Sequence, residues 1–310
     1  MRLIFFGNPK FALPSLQRLA SSPHEIMCVV TSPNRAAGRG RKLHVPEVKI
    51  AAEQYGLPVL QVEDLTDSSF LEKLAQLAAA LFVVVAFRIL PPELLAIPAL
   101  GAINLHASLL PKYRGAAPIN HAIMAGETET GVTTFQIKQK VDTGGILVQR
   151  KERILPDDTY DSLYDRLSLL GADVLLETVN GLEKGILEPA EQNPALASKA
   201  PKIKPEQGEI DWSQSAESIN NRIRGFCSKP GAYTFRNGSK LKILRSEVLH
   251  AAKNSPEDGS LVMESGVDGL VVATGDGWLR LHEVQPAGKK RMKAEDYLRG
   301  YPPVSGEALG

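Results

Sequence analysis

The sequence predicts an α/β fold: an N-terminal Rossmann-like, mostly parallel sheet with helices on both faces, followed by a small C-terminal OB-like β-barrel. Three observations lead to this prediction. Short apolar runs alternate with helical patterns in the first part of the chain. Residues 81–87 are apolar throughout, as in a central parallel strand that is covered on both faces. Brief strands between turn signals fill the C-terminal third.

The N-terminal elements follow the order expected of βαβ units. Strands are predicted at residues 3–6, 26–31, 81–87, 102–106 and 132–137, and helices at residues 11–20, 47–55 and 69–78. Strands that alternate with helices imply parallel pairing through right-handed crossovers. Ligands of such sheets bind outside the carboxyl ends of the strands, so polar residues at those ends are the first candidates for a site.

The composition changes after about residue 186. Residues 188–208 are rich in Pro, Ala, Lys and Gln without a regular period, which is typical of a linker. Beyond them, strands are predicted at residues 232–236, 241–244, 269–273 and 278–283, between turn signals such as Asn237-Gly238. These lengths fit a small antiparallel barrel. We therefore predict domains at residues 1–187 and 209–310, joined by a linker at residues 188–208.

Bulk composition limits the classes of function. The 310 residues carry a net charge of +1, so any RNA binding must come from local clusters of charge. Cys28 and Cys227 form neither a disulfide framework nor a zinc motif, which favours a reducing compartment. The longest apolar run, residues 77–87, is too short to cross a bilayer, and the N-terminal apolar stretch is too short for a signal peptide. A cytoplasmic location is expected.

The candidate catalytic residues are Asn104, His106 and Asp142. Asn104 and His106 are two positions apart on a predicted strand, so both side chains lie on one face. Asp142 opens a Gly-rich turn after another strand. An Asn amide can donate to a developing oxyanion, His titrates near neutral pH, and Asp can orient an imidazole. Taken singly, each residue also has an ordinary structural explanation.

Two stretches give these residues a context. They are NLHASLLPKYRGAAP at residues 104–118 and VDTGG at residues 141–145. Both resemble the signature of the methionyl-tRNA formyltransferases, a family of folate-dependent formyltransferases, and the resemblance extends over nearly the whole chain. It implies transfer of a formyl group from 10-formyltetrahydrofolate, without a metal, to the amino group of methionyl-initiator-tRNA for translation initiation. It also implies a monomer.

The resemblance assigns residues as well. It implies catalytic roles for Asn104, His106 and Asp142, and a folate pocket along the run Ser108, Leu109, Leu110 and Pro111. Family members often carry Tyr-Gly before a Leu/Ile-Leu-Pro motif, whereas residues 86–91 here read AFRILP. Arg88 is therefore expected close to the pterin position, which is a departure from the family pattern.

Two basic clusters are candidates for RNA contact. Residues 33–42 include Arg39, which glycine flanks on both sides, together with Arg41 and Lys42. The resemblance equates this segment with an inserted loop that enters the acceptor stem, and it matches Arg39 to the Arg of the family's Gly-Arg-Gly motif. The second cluster comprises Lys289, Lys290 and Arg291, a compact positive patch suited to phosphates. A charge run by itself is more often a solvated surface.

Charge counts make the second cluster important for any RNA binding by the C-terminal part. Residues 201–310 contain 16 Lys and Arg against 14 Asp and Glu, a net charge of only +2. Binding there would depend on the patch and would be sensitive to salt.

Four alternatives remain open at this stage. A formyltransferase acting on a small amine, such as a purine precursor or an amino sugar nucleotide, would share the three catalytic residues but would not need the C-terminal barrel or the Arg39 loop. A formyl-folate hydrolase would release formate without an acceptor amine. A noncatalytic RNA-binding protein would show no transfer. A nicotinamide oxidoreductase is disfavoured because residues 7–9, Gly-Asn-Pro, lack the Gly-x-Gly-x-x-Gly pattern.

Overall fold

The structure is a computed structural model that describes residues 1–37, 42–249, 257–262 and 269–310. The chain divides into two compact units. Unit 1 comprises Met1–Pro118, Glu129–Arg153 and Tyr164–Pro201, and unit 2 comprises Ile119–Thr128, Ile154–Leu163 and Lys202–Gly310. The domain boundaries at residues 1–187, 188–208 and 209–310 stay a prediction.

Strands and helices are numbered in chain order. The strands are β1 (Arg2–Gly7), β2 (Glu25–Thr31), β3 (Arg35–Ala37), β4 (Lys42–His44), β5 (Val59–Gln61), β6 (Leu81–Val85), β7 (Ala102–His106), β8 (Glu129–Gln136), β9 (Ile146–Arg153), β10 (Ala232–Arg236), β11 (Ser239–Leu249), β12 (Leu270–Ala273), β13 (Trp278–Pro286) and β14 (Met292–Lys293). The helices are α1 (Leu13–Ala20), α2 (Glu47–Gln54), α3 (Ser68–Gln76), α4 (Pro92–Leu95), α5 (Pro118–Met124), α6 (Tyr160–Glu183), α7 (Ala216–Phe226) and α8 (Ala294–Gly300).

Unit 1 is built on a seven-stranded sheet with the order β5-β2-β1-β6-β7-β8-β9. The pairs from β5 through β7 are parallel, and β8 and β9 add antiparallel pairs at one side. The chain runs outward from β1 to β2 and β5, then returns to the other side of β1 through β6 and β7. In open α/β sheets, ligands bind outside the carboxyl ends of the strands at such a reversal, which here lies between β1 and β6.

Helices cover both faces of this sheet because the central strands are apolar on both sides. On one face, Phe6 of β1 and Phe82 of β6 pack with Phe70 and Leu74 of α3. On the other face, α6 approaches β7 so closely that a Cβ on Gly171 would lie 2.7 Å from the Leu105 side chain. The continuous apolar run at residues 81–87 predicted a strand that is covered on both faces, and β6 is such a strand.

Unit 2 contains a curled antiparallel sheet, a small half-barrel, with the order β10-β11-β13-β12 and β14 beside β13. Helix α7 packs on β11, and its buried Ile219, Ile223 and Phe226 share a core with Leu279 and Leu281 of β13. Strand β11 bends through register shifts around Arg245, which lets one long strand curl with the sheet. The predicted fold, a Rossmann-like sheet followed by a small barrel, is confirmed.

Several elements differ from the sequence prediction in extent. The strand predicted at residues 81–87 ends at Val85, because Ala86 adopts a left-handed conformation with φ of 49°. The strand predicted at residues 241–244 continues to Leu249 as β11. The 24-residue helix α6 was not predicted. Among the described residues, no helix combines the length and apolar character that spanning a membrane requires.

Candidate active site

Strand β7 brings Asn104 and His106 to the carboxyl edge of the central sheet. Asn104 lies opposite Val84 of the parallel β6 and Phe135 of the antiparallel β8. His106, the last residue of β7, lies opposite Thr133. The two side chains share one face of the strand, as the two-residue spacing predicted. Two polar residues, the half-buried Asn104 and the buried His106, therefore end a strand that is otherwise apolar.

The imidazole of His106 is held in one orientation. It is 6% exposed, and Nε2 lies 2.8 Å from the Tyr113 carbonyl oxygen. Because a carbonyl oxygen can only accept, Nε2 carries the hydrogen of this bond. In the neutral ring, Nδ1 is then the basic nitrogen. His106 thus presents a proton acceptor on the side away from Tyr113.

Asp142 lies on that acceptor side. Its Oδ2 is 3.9 Å from His106 Nδ1, which is longer than a hydrogen bond but close enough to stabilise a protonated ring. The same oxygen accepts a 2.8 Å hydrogen bond from the backbone N–H of Gly115. Asp142 adopts a left-handed backbone conformation with φ of 53°. The structure therefore brings His106 and Asp142 together across 36 positions of the sequence.

The carboxamide of Asn104 has unused hydrogen-bonding capacity. Its Oδ1 is buried, and no described residue donates a hydrogen bond to it. A buried amide without a partner is costly unless a ligand or water satisfies it. An amide also offers two N–H donors. Asn104 is therefore poised to interact with a molecule bound at this edge of the sheet.

The run after β7 is fixed mainly by Thr133, which the sequence analysis did not single out. The Thr133 hydroxyl donates to the Ser108 carbonyl at 2.6 Å and accepts from Leu110 N–H at 3.1 Å. Gln149 donates to the same hydroxyl at 3.0 Å and to the Leu110 carbonyl at 2.7 Å. A Thr in an apolar strand next to a polar motif was the available signal, since buried hydroxyls need partners.

The proposed folate-pocket residues differ in exposure. Ser108 is fully buried, and its hydroxyl donates to the Lys112 carbonyl at 2.7 Å. Leu110 is also buried, whereas Leu109 and Pro111 are half-buried. Ser108 and Leu110 therefore fix the backbone of the run, and Leu109 and Pro111 retain accessible surface.

Arg88 is tied to the backbone that follows β5. Its guanidinium donates to the carbonyls of Val62 and Glu63, at 2.7 and 2.5 Å, and lies 5.3 Å from the centre of the Phe87 ring. Burial lowers the pKa of Arg88, and the nearby Glu63 opposes that shift. The side chain that departs from the family pattern thus links the segment after β5 to the segment after β6.

The two basic clusters are placed unequally. Arg39 and Arg41 lie outside the described residues, and Lys42 begins β4. Lys289 and Lys290 are exposed in the turn between β13 and β14, and Arg291 forms an ion pair with Glu283. The positive patch therefore has two lysines that project to solvent and one arginine that is already neutralised by a neighbour. No group of His, Cys, Asp and Glu suited to hold a metal ion occurs among the residues that the structure describes.

Comparisons with known proteins agree with these features. The family model "Formyl transferase" matches residues 1–179, and the model "Formyl transferase, C-terminal domain" matches residues 202–302. The chain is 48% identical over 311 aligned positions to a methionyl-tRNA formyltransferase from Moorella thermoacetica, covering 100% of this chain and 99% of that protein. It is 46% identical to the methionyl-tRNA formyltransferase from Geobacter metallireducens, again over 100% of this chain and 99% of the relative.

Solved structures share the fold at lower identity. An N-formyltransferase from Helicobacter canadensis, in complex with folinic acid and dTDP-3-aminofucose, has a TM-score of 0.68 at 21% identity over 93% of this chain and 99% of its own. HypX from Aquifex aeolicus with tetrahydrofolic acid has a TM-score of 0.64 at 18% identity; 99% of this chain spans 48% of that protein. A methionyl-tRNA formyltransferase from Clostridium thermocellum has a TM-score of 0.56 at 16% identity, covering 89% and 100%.

The two family models together match most of the chain. The two relatives align over their full length at 46–48% identity. This chain belongs to the formyltransferase family, within the group whose members are named methionyl-tRNA formyltransferases.

Proposed function

We propose that this chain transfers the formyl group of 10-formyltetrahydrofolate to the amino group of methionyl-initiator-tRNA, in the cytoplasm, for translation initiation. The observation that supports the chemistry best is the placement of His106 Nδ1 3.9 Å from Asp142 Oδ2, on a strand that also carries Asn104 on the same face. The names of the full-length relatives support the acceptor.

The folate donor supplies a formyl carbonyl on a nitrogen that can leave. Asn104 donates an amide hydrogen to the formyl oxygen, where negative charge develops as the acceptor amine attacks. One such donor contributes about 10²–10³ in rate, because the charge forms in a site that the protein has already organised. Asn104 fits this role, since its side chain lies on the same face of β7 as that of His106 and its amide nitrogen carries two N–H donors.

His106 moves the proton. Its Nδ1 accepts the proton that the amine loses as the new C–N bond forms, and returns it to the departing folate nitrogen as the old C–N bond breaks. The ring keeps its orientation during both steps, because Nε2–H stays bonded to the Tyr113 carbonyl. General acid–base transfer of this kind contributes about 10²–10⁴ in rate.

Asp142 stabilises the imidazolium that exists between these two steps. Its carboxylate is mostly buried, so its charge acts on the ring with little screening by water. The Gly115 N–H bond fixes the oxygen that faces His106. Asp142 is therefore expected to contribute by orientation and charge, and the proton stays on the ring and the substrates.

The other predicted residues have supporting roles in this proposal. Leu109 and Pro111, together with the buried Ser108 and Leu110 that shape their backbone, form one wall of the folate pocket. Arg39, Arg41 and Lys42 contact the acceptor stem, and Lys289, Lys290 and Arg291 contact phosphates. We expect a monomer. These assignments rest on the family resemblance and on local charge.

The test is formyl transfer in vitro with purified protein, 10-formyltetrahydrofolate and charged initiator tRNA. The wild type should produce formylmethionyl-tRNA. Asn104→Ala should lower kcat by about 10²–10³ and His106→Ala by about 10²–10⁴, while Asp142→Asn should lower kcat without abolishing folate binding. Near wild-type turnover in all three variants would refute the assignment.

The same assay separates the alternatives. Transfer to an amino sugar nucleotide in preference to charged tRNA would indicate a small-amine formyltransferase. The Helicobacter canadensis N-formyltransferase, solved with dTDP-3-aminofucose, shares the fold of this chain at 21% identity. Formate release without any acceptor would indicate a hydrolase. The higher identity to the tRNA-formylating relatives, 48% over the full length, favours charged tRNA as the acceptor.

A further inference from the structure

Residues 189–200, which we call the strap, lie against both segments that hold the proposed catalytic groups. The sequence predicts a linker here, because the composition lacks a regular period. In the structure the strap belongs to unit 1 and makes hydrogen bonds to two places: the turn that carries Asp142 and the loop at residues 111–117, which follows β7. Its contacts are specific enough to assign it a role in the proposed reaction.

The first part of the strap pairs with the end of the Asp142 turn. Ala190 and Ile146 exchange two backbone hydrogen bonds, of 2.7 and 2.8 Å. Pro189 lies so close to Gly145 that a Cβ on that glycine would be 2.5 Å from the proline ring. The turn therefore has a fixed backbone neighbour on the side away from β8.

Gln192 bonds to the backbone of the turn itself. Its Nε2 donates to the Asp142 carbonyl at 3.0 Å and to the Gly144 carbonyl at 2.7 Å. Its Oε1 accepts from the Arg114 guanidinium, with distances of 2.6 Å to Nη2 and 3.1 Å to Nε. One amide thus joins the Asp142 turn to the loop that follows β7. All of its hydrogen-bonding groups are used, which makes its orientation specific.

The last part of the strap pairs with that loop. Tyr113 N–H donates to the Ser198 hydroxyl at 2.8 Å, and Arg114 N–H donates to the Ser198 carbonyl at 2.9 Å. Ala200 donates to the Arg114 carbonyl at 2.7 Å and accepts from Ala117 at 3.1 Å. The carbonyl of Tyr113, which orients His106, therefore belongs to a residue whose own N–H is bonded to the strap.

We propose that the strap is a positioning element of the reaction: Gln192 sets the carboxylate of Asp142, and Ser198 sets the Tyr113 carbonyl that orients His106. This inference rests on the proposed function, because it acts through the two residues assigned there. Neither strap residue is required to touch a substrate.

The backbone conformations explain why such support is needed. Asp142 and Tyr113 have φ values of 53° and 60°, in the left-handed region that non-glycine residues adopt at a cost. Such conformations persist when the surroundings determine them, and catalytic groups lose activity when displaced by about 1 Å. Without the strap, both residues would be free to relax toward ordinary backbone angles and carry the carboxylate away from the imidazole.

The first experiment compares Gln192→Ala, Gln192→Glu and the control Asn193→Ala. Asn193 is the next residue of the strap, and its side-chain oxygen accepts a hydrogen bond from Ala195 N–H; among the described residues it has no bond to the Asp142 turn or to the loop at residues 111–117. We expect Gln192→Ala to lower kcat about tenfold to a hundredfold, with the KM values for folate and tRNA changed less than about threefold. Asn193→Ala should keep wild-type kcat. Thermal unfolding is followed for each variant to establish that it is folded.

Gln192→Glu separates the two sides of the amide. Glu keeps an acceptor for Arg114 but replaces the two donors with an oxygen that faces the carbonyls of Asp142 and Gly144. If the bonds to the turn matter, Gln192→Glu should be as slow as Gln192→Ala. If Gln192→Glu keeps wild-type kcat, the bond to Arg114 or mere packing is sufficient, and the positioning role assigned to the amide is wrong.

A double variant tests whether Gln192 acts through Asp142. Gln192→Ala should cost about tenfold or more in the wild type and almost nothing in an Asp142→Asn background, because the group being positioned is already lost. Equal cost in both backgrounds overturns the inference. Its failure is distinguishable from failure of the proposed function: an unchanged kcat in Asp142→Asn removes the catalytic assignment, whereas a slow Asp142→Asn with an unchanged Gln192→Ala removes only the strap.

Discussion

Replacing Glu307 by Gln should destabilise unit 2 at neutral pH and have little effect in acid. Glu307 and Arg236 form an ion pair whose side chains are 8% and 5% exposed. Arg236 Nε and Nη2 each donate to a different carboxylate oxygen at 2.8 Å. Val304 N–H and the Asn237 amide donate to the same carboxylate, both at 3.1 Å. The pair thereby fixes residues 301–310 on the half-barrel.

The magnitude follows from burial. Removing one member of a buried ion pair leaves the other charge without compensation, which costs about 3–5 kcal/mol in the free energy of unfolding. Arg236 keeps bonds to the carbonyls of Tyr301 and Pro302 in the variant, so we expect the lower part of this range. Replacing both residues by apolar ones of similar volume, as in Arg236→Met with Glu307→Leu, should cost less than Glu307→Gln alone.

The pH dependence has a definite sign. The hydrogen bonds from Arg236 lower the pKa of Glu307 from its ordinary 4.5 to about 2. A carboxyl group whose pKa is depressed in the folded state stabilises the protein fully above its unfolded pKa. That contribution is lost as the pH falls from about 5 toward 2. The difference in unfolding free energy between wild type and Glu307→Gln should therefore be largest at pH 7 and shrink as the pH falls below about 4.5.

Chemical denaturation at a series of pH values measures this difference. Carboxylates shared by the two proteins titrate in both and cancel in the comparison. A difference that stays constant from pH 7 to pH 3 would show that Glu307 is not held as a low-pKa carboxylate. A difference below about 0.5 kcal/mol at pH 7 would show that the pair contributes no more than an exposed one.

Two further predictions concern unit 1 and the basic patch. Thr133→Val removes the hydroxyl that bonds to the backbone of Ser108 and Leu110, so it should lower the free energy of unfolding by about 2–3 kcal/mol and also lower kcat. Thr130→Val, on the same strand, should leave the free energy of unfolding unchanged or raise it, because no described residue bonds its buried hydroxyl. Equal losses of stability in the two variants would contradict the reasoning. Neutralising Lys289 and Lys290 together should raise the KM for tRNA. It should also reduce the salt slope, the slope of log affinity for tRNA against log salt concentration, by about one and a half in magnitude. Arg291→Gln should change the slope less, since Glu283 already pairs with Arg291, and a larger effect at Arg291 would contradict this.

The sequence predicted most of the sheet because burial leaves a local record. Strands β7 and β10 begin and end at the predicted residues, and the bounds of β1 and β2 differ from the prediction by at most one residue. Continuous apolar runs mark strands that are covered on both faces, and such runs need no knowledge of the partner strands. Helix α6 was not predicted, although Asp173, Glu177 and Asn180 recur at helical spacing on its polar face, opposite buried apolar residues.

The candidate site was predictable in its side chains but not in its supports. Asn104, His106 and Asp142 carry functional groups whose chemistry is visible in the residue types. The atoms that hold them are backbone carbonyls and N–H groups of Tyr113 and Gly115, which every residue possesses. Gln192 bonds to residues 48, 50 and 78 positions away, and nothing in its local sequence marks it. Long-range bonds to the backbone leave no pattern in composition or period.

The stretch at residues 104–118 therefore combines two kinds of requirement. Residues 104–106, the end of β7, carry Asn104 and His106, whose side chains act in the proposed reaction. Its later part supplies the backbone that holds them, and Gly115 shows why its sequence is restricted there. Gly115 has φ of 126°, a Cβ on it would lie 2.5 Å from the Ala200 carbonyl, and its N–H holds Asp142. Any side chain at that position would push apart the loop and the strap, so the glycine contributes to the chemistry through the carboxylate it fixes.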